Sequence, residues 1–277
     1  MHSTPSIDTH VHIRSGTTDA ALIHAQMMEA GVSCIRSAGS RDGTDLSLGS
    51  MSIIPTGRAL CAHHDAHGKL FGTGVTMQAE IEDAIQRNIS GGAQTVKAFA
   101  CGIVNLSRGN CDLQEGLSQE QLQWVMRAAN AHDVPVMIHA NGDAIATVID
   151  AARKAPSSVP VSIEHGFFME EDWLRRMHDT GIAWTPTVAA LERGARNDTQ
   201  RRNANAIIVQ HLQMIAAASR IGVQVTMGTD AVLPNAHYAT CVQKERQYLC
   251  DAGVSEEALY SGALAVMGRF KDMYIDE

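Results

Sequence analysis

Short apolar runs of strand length alternate with amphipathic helical stretches eight times along the chain, and this repeat limits the fold more than any other feature. The strand signals fall at 7–13, 32–37, 53–60, 93–100, 134–139, 161–165, 182–187 and 223–228. The third is weakened by Pro55 and Gly57. Between them, 19–30 carries Leu22, Ile23, Met27 and Met28 at helical spacing and stops at Gly31. The stretch 76–89 places Ile81, Ala84, Ile85 and Ile89 on one face and ends at Gly91-Gly92. Ser118-Gln119-Glu120-Gln121 is a capping-box pattern opening a helix with Leu122, Val125, Met126 and Ala129 inward. Helices at 144–152 and 170–179 follow, and a polar segment at 193–205 leads into one bearing Ile207, Ile208, His211, Leu212 and Ile215. Eight such units in 277 residues predict an α/β fold, a (β/α)8 TIM barrel forming one domain over 1–277.

The polar residues collect where those strands end. Read as a strand, Ile7-Asp8-Thr9-His10-Val11-His12-Ile13 sends Asp8, His10 and His12 to one side. The two imidazoles then lie roughly 7 Å apart along the strand, within reach of one shared cation, and His is the commonest metal ligand. Lys97 sits in an apolar fourth strand, flanked by Val96, Ala98 and Phe99, where a lysine has to be paired or chemically altered. His139 ends strand five, His165 ends strand six, and Asp230 follows strand eight. In a parallel barrel these ends share the face where active sites are built.

Composition supplies exclusions. No run of 18 or more apolar residues suggests a membrane span, and a formal charge of −8 argues against a nucleic-acid partner. The first residues lack the basic start and apolar run of a secretory signal, so a cytoplasmic location is expected. Six cysteines without a C-x-x-C pair fit reduced thiols; Cys101 and Cys111 fall in one long loop at 101–117.

Taken together, Ile7-Asp8-Thr9-His10-Val11-His12, Lys97 in Val96-Lys97-Ala98, His139 in Ile138-His139-Ala140, His165 in Ile163-Glu164-His165-Gly166, and Asp230 in Gly228-Thr229-Asp230-Ala231 resemble the metal-dependent amidohydrolase superfamily. Thr56-Gly57-Arg58-Ala59-Leu60 with His67-Gly68, then 118–129, 177–186, and His237 with Glu245, resemble its imidazolonepropionase-like and Xaa-Pro dipeptidase-like branch. Many relatives add a β-sandwich domain; a chain whose first strand opens at Ile7 is expected to lack it.

The resemblance implies two divalent metal ions. His10, His12 and Asp230 would hold one and His139 and His165 the other, with Lys97 bridging both after carboxylation by carbon dioxide. Imidazole-rich ligation favours zinc or a similar transition metal. The implied activity is cleavage of an amide or cyclic amide C–N bond in a small molecule by a metal-bridging hydroxide, with Asp230 as proton shuttle. The same ligands could serve an ester, lactone or phosphoester hydrolase; a mononuclear deaminase or an isomerase are further alternatives. Arg14, Arg36, His67, Arg193 and His237 fall at or near the same face and are candidates for binding substrate. Oligomeric state stays open, a homo-oligomer included.

Overall fold

The computed structural model describes residues 6–13, 20–39, 48–65, 68–111, 116–155, 158–232 and 236–273. In chain order the elements are β1 (Ser6–Val11), α1 (Ala20–Glu29), β2 (Val32–Ser37), β3 (Ser52–Ile54), β4 (Ala59–Ala62), β5 (Gly72–Val75), α2 (Gln78–Ser90) and β6 (Val96–Phe99). A small hairpin, β7 (Val104–Asn105) and β8 (Asn110–Cys111), precedes α3 (Gln119–Ala131), β9 (Val136–Ala140), α4 (Ala144–Lys154), β10 (Val161–His165), α5 (Glu171–Thr180) and β11 (Ala183–Thr185). Four helices follow: α6 (Val188–Gly194), α7 (Asp198–Ile221), α8 (Tyr238–Asp251) and α9 (Glu256–Met267).

Strands pair in parallel in the orders β1-β2-β3 and β11-β10-β9-β6-β4-β5. Residues 223–231 join the two sheets, running between β11 and β1. Trp184 donates to the Gln224 carbonyl and Thr226 to the Trp184 carbonyl; on the other side Thr9 donates to the Met227 carbonyl and Asp230 to the His10 carbonyl. The expected eighth strand is thus present as an irregular closing segment, bridged at Trp184–Val225 and Val11–Ala231. β9 and β10 are buried at every position, as strands covered on both faces must be.

Three boundaries differ from the sequence expectation, each for a local reason. The third strand is split: Pro55 has no N–H to give and Gly57 turns the chain at φ 72°, so β3 pairs with β2 while β4 pairs with β5 and β6. The polar 193–205 segment is already helical from Asp198. Asn197 accepts from the Gln200 amide as an N-cap, and Asp198 pairs with Arg201, so this turn forms on local interactions with its charges in water. β5 follows the loop that carries His63 and His64 and had no strand pattern to announce it, with two of its four residues glycine. The capping box at Ser118 is formed as expected: its hydroxyl accepts from the Gln121 amide and its own amide donates to Gln121 Oε1.

Candidate metal centre

The strand ends bring His10, His12, Lys97, His139, His165 and Asp230 onto one cavity of about 230 Å³. One ligand atom from each of His10, His12 and Asp230 lies within 4.8 Å of the others. Asp230 Oδ1 is 3.6 Å from His10 Nε2 and 3.3 Å from His12 Nε2. The His139 and His165 rings stand 4.5 Å apart between centroids, and His165 is 4.9 Å from His10. Gly228 allows this closeness, since a Cβ there would meet His10 Cβ at 2.7 Å and Thr185 Cγ2 at 2.4 Å.

Each imidazole spends one nitrogen on the protein. His10 Nδ1 is 2.6 Å from Glu164 Oε2, His12 Nδ1 3.1 Å from the Gly39 carbonyl, His139 Nε2 3.1 Å from the Gly102 carbonyl and His165 Nδ1 2.7 Å from Thr187 Oγ1. Such partners orient a metal-ligating histidine and select the nitrogen that faces the ion. Burial pushes His10 down to about 4, helped by Lys97 and opposed by Glu164, and pushes His165 well below its ordinary value. Both rings are neutral near pH 7, the form that binds metal. Burial works against ionisation of Asp230 too, yet the hydrogen bond to His12 and the surrounding imidazoles hold its carboxyl well below the usual range.

Lys97 is almost wholly buried, and its Nζ has no hydrogen-bond partner. Burial brings it down to about 8 against the pull of Glu164 and Asp230. An amine so lowered is free, and nucleophilic, in a larger share of molecules near neutral pH than an exposed lysine would be.

Backbone strain concentrates here. Among the described residues, five other than glycine have positive φ, and three belong to this site: His165 (67°), Thr187 (51°) and Asp230 (50°). Thr187 is β-branched, so its left-handed conformation is costly and has to be held by its surroundings. The holding groups are visible. Buried Glu245 of α8 accepts from the Val188 amide at 2.9 Å and the Ala189 amide at 2.7 Å, and burial pushes its carboxyl up to about 8. Glu245→Gln leaves one of these buried amides facing an NH2 group and is expected to cost roughly 1–3 kcal/mol in urea denaturation.

The candidate substrate-binding residues take other places. Arg36 is 0% exposed and lies beneath the cavity, donating to Glu164 Oε1 (3.0 Å), Ser162 Oγ (3.1 Å) and the Thr9 carbonyl (2.7 Å). The expectation that it binds substrate is corrected: it is not among the residues lining the cavity, and its guanidinium is turned to buried Glu164, with Nη1 left without a hydrogen-bond partner. His237 is exposed and caps α8, its Nδ1 accepting from Thr240. Arg193 reaches the site only through backbone, donating to the Asp230 carbonyl at 2.5 Å. Arg14 and His67 lie outside the described residues.

Two carboxylates, Asp8 and Glu164, were given no role by the sequence reading. Asp8 shares the histidines' side of β1 but binds Thr229, accepting from its hydroxyl at 2.6 Å and its amide at 3.1 Å, which fixes the turn that presents Asp230. Glu164 orients His10; against burial, which alone would raise it, Arg36 and His10 hold its carboxyl down at about 2. An acid inside an otherwise apolar strand was the signal available for Glu164. Cys101 and Cys111 come within 3.8 Å of each other but do not line the cavity.

His211 supports the cavity from behind, packed on Phe167 and Trp184 with Nε2 3.1 Å from the Pro186 carbonyl. Burial pushes it down to about 4. The folded state therefore keeps it neutral while the unfolded chain takes up a proton near pH 6.5, so stability falls as pH drops from 6.5 towards 4. His211→Gln keeps a donor for Pro186 and removes this titration. Denaturation midpoints over that pH window are expected to decline less in the variant, by up to roughly 3 kcal/mol.

A parallel barrel whose strand-end histidines, lysine and aspartate face one cavity defines a class of hydrolase. The chain belongs to the amidohydrolase family, whose model matches residues 6–272, and it is accordingly a hydrolase of a family that generally binds divalent metals. Several solved structures share its fold. A Xaa-Pro dipeptidase with bound methionine superposes with a TM-score of 0.73 at 20% identity, covering 97% of this chain and 76% of that one. A prolidase complexed with N-methylphosphonate-L-proline gives 0.69 at 20%, covering 95% and 74%. Ochratoxinase from A. niger gives 0.72 at 18%, covering 96% and 71%. No curated protein sequence matches the chain. Among the described residues no helix is long and apolar enough to cross a membrane.

Proposed function

We propose that this chain hydrolyses an amide or cyclic amide C–N bond in a small molecule, using two divalent ions bridged by a carboxylated Lys97. The observation that carries this reading is the Lys97 Nζ, buried without a hydrogen-bond partner on the cavity that all five other candidate ligands line, with the Phe99 ring 5.4 Å away. An ammonium stranded there is unfavourable. Addition of carbon dioxide to the free amine releases a proton and leaves an anionic carbamate with two oxygen donors, which suits a space between two cations. His10, His12 and Asp230 would hold one ion and His139 and His165 the other, zinc or a similar metal by the imidazole-rich donor set. When bound, the ions supply an acidified water and polarise the substrate carbonyl.

The chain's own residues do the rest. Asp230, ionised and on the cavity wall, accepts the proton released as the water oxygen bonds to the acyl carbon. It returns that proton to the nitrogen as the C–N bond breaks. Glu164 and Thr187 keep His10 and His165 in the nitrogen assignment that leaves their Nε2 atoms towards the cavity. Arg193, gripping the Asp230 carbonyl, positions the aspartate.

Metal content per chain, read with intact mass under gentle conditions on protein prepared in bicarbonate and zinc, tests this. Two metals and roughly 44 Da of added mass are expected for a carbamate bridging two ions. Lys97→Ala is expected to hold at most one metal and to recover part of its activity with short carboxylic acids. One metal and no added mass in the parent protein would replace this reading with a mononuclear deaminase.

A further inference from the structure

The walls of the cavity say what kind of group it receives. Three phenyl rings lie directly against candidate ligands: Phe71 on His12 at 4.7 Å between centroids, Phe99 on His139 at 5.2 Å and Phe167 on His165 at 5.9 Å. Above them the β7–β8 hairpin turns Ile103, Val104 and Leu106 into the opening. Among the described lining residues, Lys97 is the one lysine or arginine. At about 230 Å³ the space is below the ~300 Å³ at which ligand pockets commonly begin.

The hairpin is held as a fixed roof. Asn203 of α7 donates to the Leu106 carbonyl at 2.7 Å, and Gln200 donates to Ser107 Oγ at 3.0 Å. Leu106 itself rests on Gly194 of α6, where a Cβ would come within 3.3 Å of Leu106 Cδ1. The hairpin is thus pinned at Leu106, held through its carbonyl by α7 and seated by its side chain against α6.

We propose that the pocket selects substrates with a short, uncharged, apolar acyl group, and that Leu106 on the roof hairpin determines how long that group can be. This rests on the amide-hydrolase reading for the reaction but not for the selectivity. Apolar burial against the phenyl rings rewards each methylene that fits, and a charge carried out to the hairpin end loses its water beside Ile103, Val104 and Leu106, with no lysine or arginine at that end among the described lining residues.

The test is a series of N-acyl amides with straight acyl chains of increasing length, and the same chains ending in a carboxylate, with the metal-loaded enzyme. kcat/KM is expected to rise about fourfold per methylene up to an optimum and fall beyond it, with the carboxylated chains at least about tenfold worse. Leu106→Ala is expected to move the optimum to longer chains, and Asn203→Ala, which frees the hairpin tip, to flatten it. Equal or better turnover of carboxylated chains, or an optimum that Leu106→Ala leaves in place, overturns the proposal. Calorimetric titration with acyl hydroxamates of the same chains reads the ranking without turnover. The expected ranking with no hydrolysis of any amide would keep this assignment and remove the amide-hydrolase reading, whereas a flat hydroxamate ranking would overturn it directly.

Discussion

Asp230→Asn is expected to lower kcat by about 10²–10⁴-fold while the barrel stays folded. The replacement keeps the shape of the side chain, and asparagine is at ease in the left-handed backbone that Asp230 adopts at φ 50°. Arg193 holds the backbone carbonyl, so it continues to grip the same turn. What disappears is a carboxylate whose Oδ1 stands 3.3 Å from His12 Nε2 and 3.6 Å from His10 Nε2, and with it the proposed base. Turnover measured beside far-ultraviolet circular dichroism and metal content separates the causes. Activity above about a tenth of the parent's, well short of a general base's share, would remove Asp230 as the proton carrier.

Arg36→Met is expected to cost about 3–5 kcal/mol of stability. Arg36 and Glu164 are both 0% exposed and pair at 3.0 Å. Removing the cation strands a carboxylate in the barrel interior, with hydrogen bonds from Ser162 and His10 and the more distant Lys97 to answer it. The loss should appear as a lower urea midpoint with unchanged slope. Adding Glu164→Gln is expected to restore much of it, because the two residues are coupled and the stranded charge is gone. Equal losses in the single and double variants would show that Arg36 acts through packing alone.

The barrel and its reactive residues could be read from the chain because both depend on local pattern. Two-sided burial makes the central strands continuous apolar runs, and a His, Lys or Asp breaking such a run stands out at its end. His10, His12, Lys97, His139, His165 and Asp230 all reach the same cavity. What was illegible depends on partners distant in sequence. Arg36 looked like a substrate ligand because a strand-end arginine carries no mark of an acid 128 positions away waiting beneath the site. The split third strand and the irregular closing segment reflect hydrogen-bond bookkeeping around the ring, and 223–231 owes its path to bonds with β1 and β11. The roof hairpin, inside what reads as a Gly/Asn/Ser loop, is held by Asn203 from a helix 97 positions on.

The left-handed threonine has a consequence for how such a protein would change under selection. Thr187→Gly releases a β-branched residue from a conformation that costs roughly 1–2 kcal/mol, so a search for heat-tolerant variants would be drawn to this position. The same change deletes the hydroxyl that steadies His165. Robustness and turnover would then part company at a single codon, and lineages kept for their chemistry should tolerate the more fragile loop.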